Sequence, residues 1–123
     1  MGARILSGVE ATGPGPAIKS GAAQHGVMVW FTNSGGSVTV LKFKLQGRIR
    51  GPDAPATWVD LTTSSPPEAG PVQEATFSAG ELTAKAAVRF FLNQPVDDVR
   101  VNITTLTETG TTAVYAEYKS ELN

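Results

Sequence analysis

In the stretch Ser37-Val38-Thr39-Val40-Leu41-Lys42-Phe43-Lys44-Leu45-Gln46-Gly47, the residues Thr39, Leu41, Phe43 and Leu45 alternate with Val40, Lys42, Lys44 and Gln46. A period of two sends successive side chains to opposite faces, so the stretch reads as a half-buried strand with an apolar face inward and two lysines in water. From Asp98 to Thr104 the same period recurs, with Val99, Val101 and Ile103 on one side and Arg100, Asn102 and Thr104 on the other. Upstream, Val27 to Thr32 (Val-Met-Val-Trp-Phe-Thr) is apolar on both faces. That pattern predicts a central strand covered twice, with Trp30 in the core. Asn33-Ser34-Gly35-Gly36 then supplies a turn, so this strand and the one from Ser37 are expected to form a hairpin.

Further short strands are expected over Ala3 to Val9, Thr57 to Leu61, Gln73 to Ser78, Val88 to Leu92 and Thr111 to Lys119. A helix competes only between Glu81 and Leu92, where Leu82, Ala86 and Phe90 recur at a spacing of four. The β-rich run Val88-Arg89-Phe90-Phe91-Leu92 favours a strand for the second half. Pro/Gly-rich segments at Thr12 to Pro16, Gly51 to Ala56 and Ser64 to Pro71 read as surface loops. Thr, Ser, Gly and Pro together make 43 of 123 residues, and 12 Val stand against 8 Leu, a composition that favours strands and turns. The expected fold is all-β: an antiparallel β-sandwich, immunoglobulin-like or jelly-roll, of about eight short strands. Its length suits one domain over 1–123. Whether the N-terminal stretch 1–17 is an attachment arm or holds a core strand over Ala3 to Val9 stays open at this point. As an arm it would offer Ile5, Leu6, Val9 and Ile18 to a neighbour.

Chemistry is sparse. With no Cys, a disulfide framework, a thiolate metal site and a Cys nucleophile are all excluded. Ten basic against eleven acidic residues leave a net charge of -1, which gives no global pull toward nucleic acid or an anionic membrane. The start of the chain shows no basic segment followed by a long apolar run, and no stretch of about 18 apolar residues occurs, so neither a signal peptide nor a membrane span is expected. His25 is the sole histidine and reads as a structural or surface residue, since no nucleophile elbow accompanies it. Gly13-Pro14-Gly15-Pro16-Ala17-Ile18-Lys19-Ser20 only superficially resembles a phosphate loop, because Ile18 replaces the glycine before the lysine and two prolines remove N–H donors.

Asp97 and Asp98, near Asn93 and Gln94, are acids before a strand without a Ca²⁺-loop pattern. Asp53, Asp60, Glu74 and Glu117 are too scattered to argue for a glycosidase pair. Asn102-Ile103-Thr104 matches a glycosylation sequon by chance, inside a strand. Neither a catalytic residue nor a metal or cofactor site is assigned, and the expectation is a protein that is not an enzyme. Among the aromatics, Tyr115 and Tyr118 fall on opposite faces of one strand, and Trp58 beside a Pro-rich loop is the candidate for stacking a glycan. Lys42, Lys44, Arg48 and Arg50 line one face as a positive stripe, which reads as solvated surface in isolation and in an assembly would meet an acidic neighbouring subunit.

Taken together, the strand ending in Leu45-Gln46-Gly47, the Trp58-Val59-Asp60-Leu61 run after a variable loop, and the Arg100-Val101-Asn102-Ile103 strand resemble small β-sandwich virion accessory proteins of tailed bacteriophages. The similarity covers the middle and C-terminal two-thirds of the chain. Arg48 to Ala56 departs from the short Asp-Gly turn usual there. The resemblance implies a capsid decoration (cement) protein on the outside of a phage head, made in the host cytoplasm and localised to the virion. It would bind the major capsid protein or other virion proteins and form a homo-oligomer, with no nucleic-acid or membrane partner. The alternative it leaves open is a carbohydrate-binding or receptor-binding module of a tail or head fibre.

Overall fold

The structure, a computed structural model, describes residues 3–51, 57–63, 71–91 and 94–121. In chain order these residues form β1 (Ala3–Val9), β2 (Gly13–Pro14), β3 (Ile18–Lys19), β4 (Gln24–Ser34), β5 (Val38–Arg48), β6 (Val59–Asp60), β7 (Ala75–Thr76), α1 (Ala79–Ala84), β8 (Ala86–Phe91), β9 (Asp98–Glu108) and β10 (Thr111–Glu121). One sheet has the order β1-β10-β4-β8, and the other has β2-β9-β5-β6 with β3 on β9 and β7 on β5. Every pairing is antiparallel. The all-β sandwich expected from the alternation is what forms; β4, β9 and β10 run longer than the pattern shows, at 11 residues each, and β2, β3, β6 and β7 are two-residue strands. Most of the two expected Pro-rich loops at Gly51 to Ala56 and Ser64 to Pro71 lies outside the described residues, as do Asp53, Leu92 and Asn93.

The core lies between the sheets. Val27, Val29 and Phe31 from β4 and Val114, Ala116 and Tyr118 from β10 face Leu41, Phe43 and Leu45 from β5 and Val99, Val101 and Ile103 from β9. Phe77 sits between Phe31 and Phe43, with ring centroids 6.0 and 6.3 Å away in tilted and edge-on arrangements favoured by aromatic quadrupoles. Ile5 and Leu6 are each 1% exposed. That placement corrects the arm reading of 1–17 over its β1 part: Ala3, Arg4, Leu6 and Val9 pair with β10, and two register shifts let adjacent residues Ile5 and Leu6 both turn inward. Val9 and Ile18 pack, half-buried, against the same core.

Two other expectations are corrected. β4 and β5 do not form a hairpin, because the turn at Asn33-Ser34-Gly35-Gly36 carries the chain from one sheet to the other. Gly35 adopts φ +82°, and a Cβ on Gly36 would stand 2.3 Å from the Thr109 carbonyl oxygen. That closeness arises because the β9–β10 connection crosses beside it: the Thr109 N–H donates to Ser37 O at 2.9 Å, and the Ser37 N–H donates to Thr109 Oγ1 at 3.0 Å. Nor is β4 covered twice. Its outer face carries Met28, 43% exposed, and Trp30 stacks there on Tyr115 outside the core, at 5.6 Å between centroids and 13° between planes.

Before β8 the chain makes one helical turn and a half, set by a capping box. The Ser78 side chain accepts from Glu81 N–H while the Glu81 carboxylate accepts from Ser78 N–H. Lys85 ends the helix in a left-handed conformation at φ 65°. The strand expected for the second half of this segment then begins at Ala86.

Candidate functional site

The outer face of the second sheet gathers the charged residues. Because directly paired residues in an antiparallel ladder share a face, the pairs Gln46↔Arg100, Arg48↔Asp98 and Gln46↔Asp60 bring β5, β9 and β6 side chains together. Lys44 Nζ lies 2.9 Å from Asp60 Oδ2, and Gln46 Nε2 donates to Asp60 Oδ1 at 2.8 Å. The Gln46 hydrogen bond and then the Lys44 charge hold the Asp60 carboxyl below its ordinary range, and Asp60 in turn raises Lys44. Asp98, 5% exposed, receives both Arg48 Nε at 2.9 Å and Arg50 Nε at 2.8 Å on the same oxygen. These partners, Arg48 foremost, lower its pKa against the cost of burial. Asp97 accepts from the Arg50 backbone N–H at 2.6 Å. The two acids weighed for Ca²⁺ thus hold arginine and backbone donors, and among the described residues no three His, Asp or Glu converge as a metal site.

Trp58 lies on this face under two guanidiniums, with Arg48 Cζ 4.5 Å and Arg100 Cζ 4.3 Å from its ring centroid. The indole proposed for a glycan therefore carries cations on its ring. Arg100 donates through Nε to Gln46 Oε1 at 2.8 Å, and burial followed by the nearby Arg48 charge lowers its pKa. Lys42 lies further along β5, paired with Thr105 and Thr76. Sequence reading names four of the cations but misses Arg100, Asp98 and Gln46 as their company. The signal was present in the polar side of the Asp98 to Thr104 alternation, and only the β5–β9 pairing connects the two strands.

On the outer face of the first sheet, Met28, Val88 and Phe90 are 43, 44 and 53% exposed. Val88 and Phe90 stand on β8 directly beside Met28 and Gly26 of β4. With Glu117 and Lys119 they border a shallow cavity of about 510 Å³. Arg4 adjoins this surface, its Cζ 5.0 Å from the Trp30 ring and its Nη2 3.6 Å from Glu117 Oε1.

His25 is buried at the end of the sandwich, 1% exposed. Its Nε2–H donates to the Gln94 carbonyl oxygen at 2.9 Å, which leaves Nδ1 to accept from the Tyr118 hydroxyl at 2.5 Å. Ser20 Oγ lies 2.6 Å from the same hydroxyl oxygen and donates to it. Burial lowers the His25 pKa, against the pull of the Gln94 hydrogen bond, and raises that of Tyr118. Both ring nitrogens of His25 are occupied in tying β4, β10 and the loop before β9 together.

A two-sheet antiparallel β-sandwich with one basic and one apolar outer face is thus the class of protein that this chain forms. Two solved structures carry its fold. SPBc2 prophage-derived protein YomS matches with a TM-score of 0.55 at 12% identity, over 96% of this chain and 90% of that one. PBSX exported protein XepA matches with a TM-score of 0.65 at 16% identity, over 97% of this chain and 37% of that one, so this chain spans little more than a third of XepA. Both neighbours are phage-derived proteins, and at these identities the likeness shows the fold alone. No protein-family model and no curated protein matches the sequence.

Proposed function

We propose that the chain is a non-enzymatic structural protein of a bacteriophage virion, a capsid decoration (cement) protein. In this reading it binds the outside of the head through the major capsid protein or another virion protein, and it self-associates. The observation that carries the reading is the sharing of this sandwich, almost end to end, with a prophage-derived protein of similar extent. The outer faces support it. Exposed Met28, Val88 and Phe90 beside the edge strand β8 make an apolar patch, and the second sheet carries a cationic cluster, the two surface chemistries from which protein contacts are built. The alternative, a glycan- or receptor-binding fibre module, has its motive in Trp58, and the two guanidiniums on that ring favour a protein contact over a sugar.

Quantitative mass spectrometry of density-purified particles of the encoding phage tests the reading. The chain is expected in intact heads at a copy number in fixed ratio to the major capsid protein. Its absence from particles whose other head proteins are all detected overturns the proposal. For self-association, sedimentation velocity at micromolar protein should give a mass above the 12.9 kDa monomer. A monomer throughout that range removes the oligomer from the account.

A further inference from the structure

Two arginines share one carboxylate at the Trp58 end of the basic face, and a third stands beside them. Arg48 and Arg50 both spend Nε on Asp98 Oδ2, and Arg100 spends Nε on Gln46 Oε1. The Nη nitrogens of all three have no partner among the described residues. An Nε bond fixes the plane of a guanidinium and leaves its Nη pair as a donor fork, and Trp58 fixes two of those planes against one ring. The cluster holds three positive charges against two negative ones, Asp98 on the Nε atoms and Asp97 on the Arg50 backbone N–H, since Asp60 is matched by Lys44. Like charges held together at partial burial cost free energy that an incoming anion recovers. Asp98 shows within the chain how a carboxylate is received here.

Beside the forks runs a largely apolar groove of about 600 Å³, with Ile49, Val59, Leu61, Pro95 and Val96 along it and the Asp60 carboxylate, paired with Lys44, at its border. Ile49 and Val59 are 60 and 53% exposed. A free phosphate would use the forks and leave the groove wet, whereas a peptide with a carboxylate next to an apolar side chain fills both.

We propose that the Arg48–Arg50–Arg100 cluster on Trp58, with the groove at Ile49 and Val59, is the docking site for an acidic-apolar peptide segment of a partner protein. This rests on the virion reading for the partner's identity, but its chemistry is tested on the isolated protein. Arg and Trp in a partly desolvated cluster are the residue types that dominate binding energy at protein interfaces. Arg–carboxylate pairs are strong enough to make the acid the determinant of specificity.

The test uses the full chain carrying Trp30→Phe, so that Trp58 alone reports fluorescence. The probes are an acetylated, amidated Glu-Leu-Glu-Leu-Glu-Leu peptide, its Gln-for-Glu counterpart, and inorganic phosphate. A saturable change in Trp58 emission is expected with the Glu peptide, with an apparent Kd about tenfold or more below that of either other probe. Arg100→Gln, which leaves both Asp98 ion pairs in place, should weaken the Glu peptide about tenfold with the melting temperature held. Equal binding of the Glu and Gln peptides, phosphate binding as tight as the peptide, or undiminished binding in Arg100→Gln each overturns the proposal. If the peptide fails to bind while Arg100→Gln still attaches to capsids, the docking site falls and the virion reading stands. Peptide binding without capsid attachment does the reverse.

Discussion

Gly47 shows how closely a single position is specified. A Cβ there would stand 2.7 and 2.9 Å from the two γ-methyls of Val96, a stiff branched side chain that cannot swing aside. Gly47→Ala is therefore expected to lower the free energy of unfolding by roughly 1–2 kcal/mol, overpacking outweighing the smaller backbone-entropy gain. A urea melt checks this, and an unchanged or higher midpoint would show that Val96 moves. His25 makes a pH prediction. Its folded pKa lies below the unfolded value of about 6.5, so below that pH the unfolded chain takes up a proton that the folded chain refuses. This contribution is complete above about pH 6.5 and is lost as pH falls toward the folded pKa. Asp60, Glu81 and Asp98 are lowered too, but their contribution persists above the ordinary carboxylate range and is lost only in stronger acid. His25→Gln should flatten the stability slope just below about pH 6.5 while keeping the acid limb. A slope identical to the parent's would contradict the buried neutral imidazole. At this scale the sequence shows Tyr115 and Tyr118 as facing opposite ways, because that reading needs only period, and it leaves His25 either structural or on the surface. It does not show Trp30 as an outer residue, since an apolar side chain reads the same whether it meets the other sheet or a tyrosine on its own.

Among the elements, β1 and the α1–β8 pair carry the sharpest expectations. Deleting residues up to Thr12 removes Ile5 and Leu6, each worth about 1.5–3 kcal/mol when fully buried, together with the ladder to β10. The truncated chain should lose its cooperative thermal transition by circular dichroism, and a parental melting temperature would restore the arm reading. Arg89, 0% exposed, receives both oxygens of Glu81 at 2.9 Å and reaches Thr76 O at 2.7 Å. Glu81→Ala strands a buried guanidinium and is expected to cost about 3–5 kcal/mol, whereas Arg89→Met replaces the cation with an apolar chain and should cost less. Chemical denaturation of the two variants gives the order, and the reverse order would mean that the guanidinium is hydrated without its partner. The limits of element reading are visible in β9, where the alternation in the sequence stops at Thr104. There Phe43 pairs with Ile103 but Lys42 with Thr105, so Thr104 is an extra residue and the inward set moves from odd to even positions. Thr39 is the same kind of insertion in β5, which explains why it is exposed although the period places it inward. Strand existence follows from side-chain period; bulges and sheet membership follow from long-range pairing that a linear pattern does not contain.

For the molecule as a whole, burying one face of each sheet leaves two outer faces whose chemistry differs. One is apolar around Met28, Val88 and Phe90, and the other is cationic around Arg48, Arg50 and Arg100. Lys42, Lys44, Arg48 and Arg50 of the cationic face are legible in one stretch of sequence. The rest required β9 and β6 to be set beside it, which is tertiary information. A protein so built is suited to being held between partners, and the proposed virion role is one form of that idea. Reconstitution tests it most directly: purified protein is mixed with phage capsids that lack it, and pelleted protein and heat resistance of the particles are measured against added protein. The account predicts saturable co-sedimentation at a fixed ratio to the capsid protein, with capsids that survive a higher temperature when saturated. No co-sedimentation at micromolar protein, with the protein folded and the capsids intact, would contradict it.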